Sequence, residues 1–421
     1  MRILIWHGYL LGGTGSNVYT RSLARAWRRL GNEVTILCQE PHPERYDVGG
    51  AHVVRPEIGT RLPVFVLDDY EDLTPCLLQD MPRSERDDYV AANAAAIQGQ
   101  LPADFLLTNH VLLGGPVGAA SGLPFAVKAH GSELEYSMRG NGELGAWAND
   151  ALTSARAVIA GSEHIVRVLS EVVGPGPYER HVRLGPPGVD VEEFHPEDRT
   201  TALRRLLDEC RRDPPNPASR YDQRLPDEGN AARLEAFFAG DRPTVLYVGK
   251  LSEEKGVSLL LEALSGIEAR VLIVGFGPAR AELEAAADDR YLFTGPLEHR
   301  HLAHLWPLAD VSVTPSVFPE AFGMVAAEAA ACGSPPLVAR HSGLAEVAAA
   351  LEVEYPARHR HLASFENGSA ADLAQRLAEL LSLPRREWQT VSDAARRTAV
   401  RHWSWEHVAA SISDVMAGQQ S

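Results

Sequence analysis

The chain has 421 residues, 45% of them apolar, which is enough for two domains of ordinary size with buried cores. Its net charge of −16 excludes a general nucleic-acid binder. No run approaches the roughly 18 apolar residues that cross a bilayer, so only peripheral membrane contact through one patch stays open. Four cysteines, Cys38, Cys76, Cys210 and Cys332, stand far apart with no C-x-x-C. That pattern predicts reduced thiols in a cytoplasmic protein, not a disulfide frame or a zinc site. The N-terminus shows no signal peptide's long apolar region. Nothing in the composition speaks to oligomeric state.

Arg2 to Trp6 reads as a short apolar strand. A glycine-rich loop from Gly8 to Asn17 follows, then an amphipathic helix from Val18 to Leu30 closed by Gly31, then a strand from Val34 to Cys38. This is the βαβ opening of a doubly wound α/β domain, with the loop at the strand end where such sheets bind ligands. The loop is not a strict G-x-G-x-x-G, and only Glu40 follows the second strand in an acidic position. Its Gly, Thr and Ser residues nonetheless leave backbone N–H groups open to an anion. The region 41–82 reads as strand-poor solvated loop, with an acidic run at Asp68-Asp69-Tyr70-Glu71-Asp72.

Arg83 to Gly99 predicts a helix; Phe105 to His110 and Phe125 to Ala129 predict strands. His130-Gly131 ends the second of these, at the ligand edge of a parallel sheet. Another strand spans Ala157 to Gly161, with Ser162 as a helix N-cap. The rigid segment Gly185-Pro186-Pro187-Gly188 to Pro196 reads as the exit from domain one. Residues 198–241, with Pro214-Pro215-Asn216-Pro217, read as a linker carrying a helical insertion.

Domain two opens with a strand from Thr244 to Gly249, and Lys250 and Lys255 lie in the loop that follows. Two lysines between a strand and a helix suit a diphosphate. Val271 to Pro278 and Tyr291 to Pro296 each pair a strand with a glycine turn at the same sheet edge. The histidines 299, 301 and 304 lack a carboxylate or Cys at ligand spacing and read as a solvated loop and helix start, so no metal site is expected. The segment from Pro319 to Gly333 places Glu320 in a loop and Glu328 inside an Ala-rich helix. Eight residues at helical rise span about 12 Å. That is roughly the reach from a sugar ring, across a diphosphate, to a ribose. The helix start offers N–H groups and partial positive charge to phosphate. The tail is helical, and Trp403-Ser404-Trp405 predicts docking on another surface, domain one being the expected partner.

Six ordered motifs carry a resemblance: Gly12-Gly13 with Asn17-Val18-Tyr19; His130-Gly131-Ser132; Pro187-Gly188-Val189-Asp190 with Phe194 and Pro196; Gly249-Lys250-Leu251-Ser252 with Glu254-Lys255-Gly256; Val274 to Pro278; and Glu320 to Glu328, seven residues apart. They cover nearly the whole chain, which resembles the retaining glycosyltransferases of family 4. The resemblance implies an α/β GT-B fold of two Rossmann-like doubly wound domains facing across a cleft. It places the first domain at 1–197, the linker at 198–241 and the nucleotide-sugar domain at 242–401. A C-terminal helix (402–421) would cross back to the first domain.

What the family implies is carried over by position. Lys250 and Lys255 would bind the donor diphosphate, Glu328 the ribose hydroxyls, and Glu320 the transferred sugar. Backbone N–H groups of Phe322, Gly323, Met324 and Val325 would meet sugar and phosphate. His130 would line the sugar pocket at the reacting carbon. Gly13 would let the phosphate approach, Asn17 matches an acceptor position, and Phe276, Gly277 and Leu297 would contact the base. Lys250 departs from the family's usual Arg; it keeps the charge but loses the bidentate fork. The 198–241 stretch is longer than the family pattern.

The implied activity is transfer of a sugar from a nucleoside-diphosphate sugar to a hydroxyl of a small molecule, lipid or glycan. UDP is the first expectation for the donor base, with GDP or ADP as alternatives. The sequence contains no D-x-D, which fits chemistry with no metal or other cofactor. In the family the leaving phosphate is usually thought to help deprotonate the acceptor on one face of the sugar. Two rival readings keep the same fold: a nucleotide-sugar epimerase or hydrolase, and a non-catalytic nucleotide-binding partner subunit. An NAD-type oxidoreductase would require the absent fingerprint.

Overall fold

The computed structural model describes residues 1–67, 70, 72–216 and 225–418. Of the residues singled out above, Asp68, Asp69, Glu71 and Pro217 lie outside the described ones. The chain divides into two compact units, Met1–Gly188 with Trp405–Ser421, and Val189–Ser404.

The first unit is built on β1 (Arg2–Trp6), β2 (Glu33–Leu37), β3 (His52–Val54), β6 (Phe105–Asn109), β7 (Phe125–Lys128), β8 (Ala157–Ala160) and β9 (Val182–Leu184). They form a parallel sheet in the order β3-β2-β1-β6-β7-β8-β9. Ile3 registers with Val34 on one side and Phe105 on the other. The strands are near-continuous apolar runs because both sheet faces are covered. Alternation divides β1 between the two faces. Ile3 and Ile5 join the core with Trp27 and Ile412, while Leu4 and Trp6 join the one with Tyr89 and Leu106. The helix Gly15–Arg29 packs against the C-terminal helix Trp405–Ala417. Trp27 Nε1 donates to Ala409 O and Ser413 Oγ, both at 3.0 Å, so burying the indole leaves no donor unmet. The strand-poor reading of 41–82 is corrected. Besides β3, this stretch holds β4 (Arg61–Val64) and β5 (Thr74–Leu77), a parallel pair outside the main sheet.

The second unit carries β10 (Thr244–Val248), β11 (Arg270–Val274), β12 (Tyr291–Phe293), β13 (Val311–Thr314), β14 (Pro336–Ala339) and β15 (Ser364–Phe365). Their order is β12-β11-β10-β13-β14-β15, again parallel. In both sheets the order reverses beside the first strand, so the switch points lie at β1/β6 and β10/β13.

The division falls at Gly188 and Trp405, not at 197 and 402. The segment expected to leave domain one is held inside the second unit: Arg396 donates to Val191 O and Phe194 O at 3.0 and 2.8 Å. Residues 198–241 are likewise structural parts of that unit. Helices Arg199–Arg212 and Asn230–Phe237 bury Leu206, Leu207 and Leu234 in its core. The two tail tryptophans part company: Trp403 packs on Phe322 in the second unit and Trp405 on Tyr19 in the first. Among the described residues, no helix is long and apolar enough to cross a membrane.

Candidate active site

In the first unit the strand ends at the switch point deliver three histidines. His7 follows β1, His110 follows β6, and His130 stands two residues after β7. Their rings gather closely, with centroids 4.6 Å apart for His110 and His130 and 6.0 Å for His7 and His110. Each is locked differently. His7 Nε2 meets Asn17 Oδ1 at 2.7 Å, while the Asn17 amide N–H donates to Gly12 O and ties down the glycine loop. His130 Nε2 meets Asn109 Oδ1 at 2.9 Å. Glu133 is fully buried, and its Oε1 accepts from Val111 N–H at 3.0 Å and His130 N–H at 3.1 Å. Its Oε2 stands 2.7 Å from His110 Nδ1, in ion-pair range though off the line of an ideal hydrogen bond.

Burial pushes His7 down to about 3, with the charge of His110 acting the same way. Burial, then His110, Lys128 and His7, hold His130 well below the usual imidazole range. Both rings therefore stay neutral at pH 7. Burial also pushes Lys128 down to about 7; its ammonium donates to Gly185 O at 2.6 Å and lies over the Tyr19 ring. A cavity of about 450 Å³ opens here, bordered by Tyr9, Asn17, Phe65, Tyr70, His110 and His130 among others. Gly13 lies in the glycine loop, with φ +91° and open space where a side chain would stand.

In the second unit the loops after β10, β11 and β12 are laced together. Leu251 N–H donates to Phe276 O at 2.8 Å, and Gly275 N–H to Gly295 O at 2.9 Å. A Cβ on Gly275 would stand 1.8 Å from Gly249 O, and one on Gly277 would stand 2.2 Å from Leu251 O, both at positive φ. Only glycine permits this approach. Phe276 and Leu297 are half-buried on these loops. Lys250 is exposed, whereas Lys255 forms an ion pair with Glu320. The Glu320 backbone is clamped: its N–H donates to Ser342 Oγ at 2.8 Å, and its carbonyl accepts from Gly343 N–H at 3.0 Å.

Phe322 is buried, and Gly323 caps the helix Met324–Ala331. Ala326 and Ala327 both donate to Gly323 O, so the N–H groups of Met324 and Val325 precede the hydrogen-bonded ladder. Glu328 is 6% exposed, with His299 Nε2 3.9 Å from Oε1. Burial pushes this carboxyl up to about 8; Glu193 adds to the shift and Trp306 opposes it.

Two models of known families match: one for the glycosyl transferase 4-like domain over residues 14–188, the other for glycosyl transferases group 1 over residues 231–398. The chain belongs to the family 4 glycosyltransferases, which have the GT-B fold. It is 30% identical over 253 residues to D-inositol 3-phosphate glycosyltransferase of Xylanimonas cellulosilytica, covering 56% of this chain and 51% of that one. It is 32% identical over 194 residues to the GDP-mannose-dependent alpha-(1-6)-phosphatidylinositol dimannoside mannosyltransferase of Mycobacterium tuberculosis, covering 43% and 46%. The chain thus spans about half the length of the curated relatives it matches. Anabaena HepE, solved in complex with UDP, shares the fold with a TM-score of 0.67 at 16% identity, over 99% of this chain and all of that one.

For this family 4 chain, the structure brings Lys255 and Glu320 together and sets Asn17 and His130 on one cavity. Sequence reasoning missed His7, His110 and Glu133. The first two were within reach, since each is a polar residue directly following a switch-point strand. Glu133 stands three residues after His130, the capping-box spacing.

The reading of the histidines at 299–304 as solvated is corrected for His301, which is fully buried and lies with Cys210 and Asp213, their ligand-type atoms within 4.8 Å. Its Nδ1 accepts from Glu298 N–H at 3.2 Å, which leaves the ring proton on Nε2, 3.1 Å from Asp213. A protonated Nε2 cannot bind a cation, and Arg300 already pairs with that carboxylate. The trio is an ion-pair network.

Proposed function

We propose that the protein transfers a glycosyl group from a nucleoside-diphosphate sugar to a hydroxyl acceptor, with retained configuration and without a metal. The donor is assigned to the second unit and the acceptor to the first. The observation that carries this reading is the Lys255–Glu320 pair at the β10/β13 switch point, with an open helix start and a buried carboxyl, Glu328, eight residues on. One stretch thereby offers cation, helix amides and two carboxylates to one elongated polar ligand.

Lys250, Lys255 and the N–H groups of Phe322, Gly323, Met324 and Val325 stabilise the diphosphate as the anomeric C–O bond breaks and its electrons pass to the leaving group. Glu328 accepts from the ribose hydroxyls and Glu320 from hydroxyls of the transferred sugar. Phe276, Gly277 and Leu297 flank the base. His130, held neutral, borders the sugar's reacting face, with Gly13 below the phosphate and Asn17 toward the acceptor. Such electrostatic stabilisation requires no metal handle, in keeping with the missing D-x-D. UDP is the first base to test, since HepE was solved with UDP; GDP follows, because the mycobacterial relative is named for GDP-mannose, and then ADP. A cytoplasmic location accompanies this reading, and the acceptor is a small molecule, a lipid or a glycan.

The test is nucleotide release from a panel of UDP-, GDP- and ADP-sugars, with and without acceptor extracts and EDTA, and with product configuration read by NMR. Acceptor-dependent release that survives EDTA is expected. No release, together with no thermal shift by UDP, GDP or ADP, sinks the reading.

A further inference from the structure

His110 is the least explained residue of the first unit. It has φ +68°, a region that non-glycine residues enter at a cost of about 1–3 kcal/mol and that concentrates at functional sites. It is 2% exposed, and neither ring nitrogen has a hydrogen-bond partner among the described residues. A buried imidazole left in that state calls for a partner that is not part of the chain.

The surroundings define what that partner is. His110 borders the cavity, and Glu133 Oε2 stands 2.7 Å from its Nδ1. A carboxylate on that side favours the tautomer with the proton on Nδ1, which leaves the Nε2 lone pair free. His7 and His130 have the opposite arrangement, since each presents Nε2 to an Asn carbonyl. Of the three rings, only His110 has a carboxylate behind it to balance a gained proton. Among the described residues, no Lys, Arg, Asp or Glu borders the cavity, whose polar lining is hydroxyls, one amide and imidazoles. Such a lining suits an uncharged polyol and offers no cation to a phosphate.

We propose that this cavity binds an uncharged, hydroxyl-bearing acceptor, and that His110 Nε2 takes the proton of the attacking hydroxyl while Glu133 holds the ring. This deepens the glycosyltransfer reading and rests on it. In the step, the acceptor oxygen bonds to the anomeric carbon, the anomeric C–O bond breaks toward the diphosphate, and the acceptor proton moves to Nε2. The imidazolium that forms keeps its Nδ1 proton toward Glu133. The departing diphosphate is then not the proton's destination. Glu133 is a positioning residue and His110 a catalytic one.

Two measurements test this. The first needs no substrate. In the ¹⁵N-histidine-labelled full chain, NMR should find His110 neutral with its proton on Nδ1, its signals identified by their loss in His110→Asn. Glu133→Gln keeps an oxygen for Val111 and His130 but turns an N–H toward Nδ1, so the proton should move to Nε2. A wild-type His110 carrying its proton on Nε2 overturns the proposal. The second is transfer. Asn tolerates positive φ, so His110→Asn should fold, with nucleotide affinity unchanged, while transfer to neutral polyols such as myo-inositol or methyl mannoside falls about 10²–10⁴-fold. Acceptors with an acidic hydroxyl, such as 4-nitrophenol, should lose less, and phosphorylated polyols should be poor for both proteins. Wild-type rates in His110→Asn, or an equal loss for every acceptor, overturn the proposal while leaving glycosyltransfer intact. A wild type that transfers to nothing sinks the glycosyltransfer reading itself, and the catalytic role of His110 with it.

Discussion

Lys255 and Glu320 form an ion pair that joins the loop after β10 to the loop after β13. Their side chains are 34% and 24% exposed, so water screens the pair and it contributes only about 0–1 kcal/mol to folding. Its value lies in poise: the carboxylate neutralises the ammonium until a more anionic partner arrives. Lys255→Ala and Glu320→Ala should each move the thermal midpoint by less than about 3 °C. Both should nonetheless cut turnover of the nucleotide sugar at least about tenfold. A midpoint drop beyond 6 °C in either would mark the pair as a folding element instead.

Glu320 and Glu328 should separate in binding. If they serve opposite ends of one donor, Glu328→Ala weakens binding of the free nucleoside diphosphate, whose ribose it contacts. Glu320→Ala leaves that affinity within about twofold and lowers turnover, because the free nucleotide carries no sugar. Calorimetric titration of UDP, GDP and ADP checks both variants. Equal affinity losses contradict the two-ended assignment.

Gly275 tests whether the laced loops are needed. A Cβ there would stand 1.8 Å from Gly249 O at φ +144°, so Gly275→Ala must displace backbone. We expect at least about 2 kcal/mol of destabilisation, which is about 4–8 °C in thermal midpoint for a unit of this size. Gly266→Ala is the control, because its Cβ would meet only open space. A Gly275→Ala midpoint within 1 °C of the wild type would show that the loops relax freely.

Both parallel sheets were legible because buried parallel strands announce themselves as apolar runs broken by glycine turns. Lys250, Lys255, Glu320 and Glu328 were legible for a related reason: each falls on the segment after such a strand. What escaped depended on pairing at a distance. Helix Arg199–Arg212 looked like a linker because its charged residues dominate the composition. Its buried Leu206 and Leu207 gain meaning only once the unit's core exists to receive them. His110 escaped because neither its positive φ nor the approach of Glu133, 23 residues later in the chain, leaves a local pattern. The tail tryptophans illustrate the same limit. Trp403 and Trp405 are two residues apart, yet one packs on Phe322 and the other on Tyr19.

The buried carboxyl of Glu328 predicts a proton signature for nucleotide binding. Burial raises it from an ordinary 4.5 to about 8, so the unliganded protein holds it mostly protonated at pH 7. Because the folded value exceeds the unfolded one, its contribution to stability is fully present below pH 4.5 and is lost as pH rises through 8. Ribose hydroxyls donating to the carboxylate would favour the charged form and pull the value back down. Binding should therefore release up to one proton per nucleotide near pH 7, and affinity should rise between pH 6 and 8. Titration calorimetry in buffers of different ionisation enthalpy counts that proton directly. Glu328→Gln cannot ionise. It should remove the release and flatten the difference in pH slope, with any remaining slope assigned to the nucleotide's own phosphate. It should also hold its thermal midpoint better than the wild type as pH rises from 5 to 8. A proton count that is the same in wild type and Glu328→Gln would show that Glu328 does not meet the ligand.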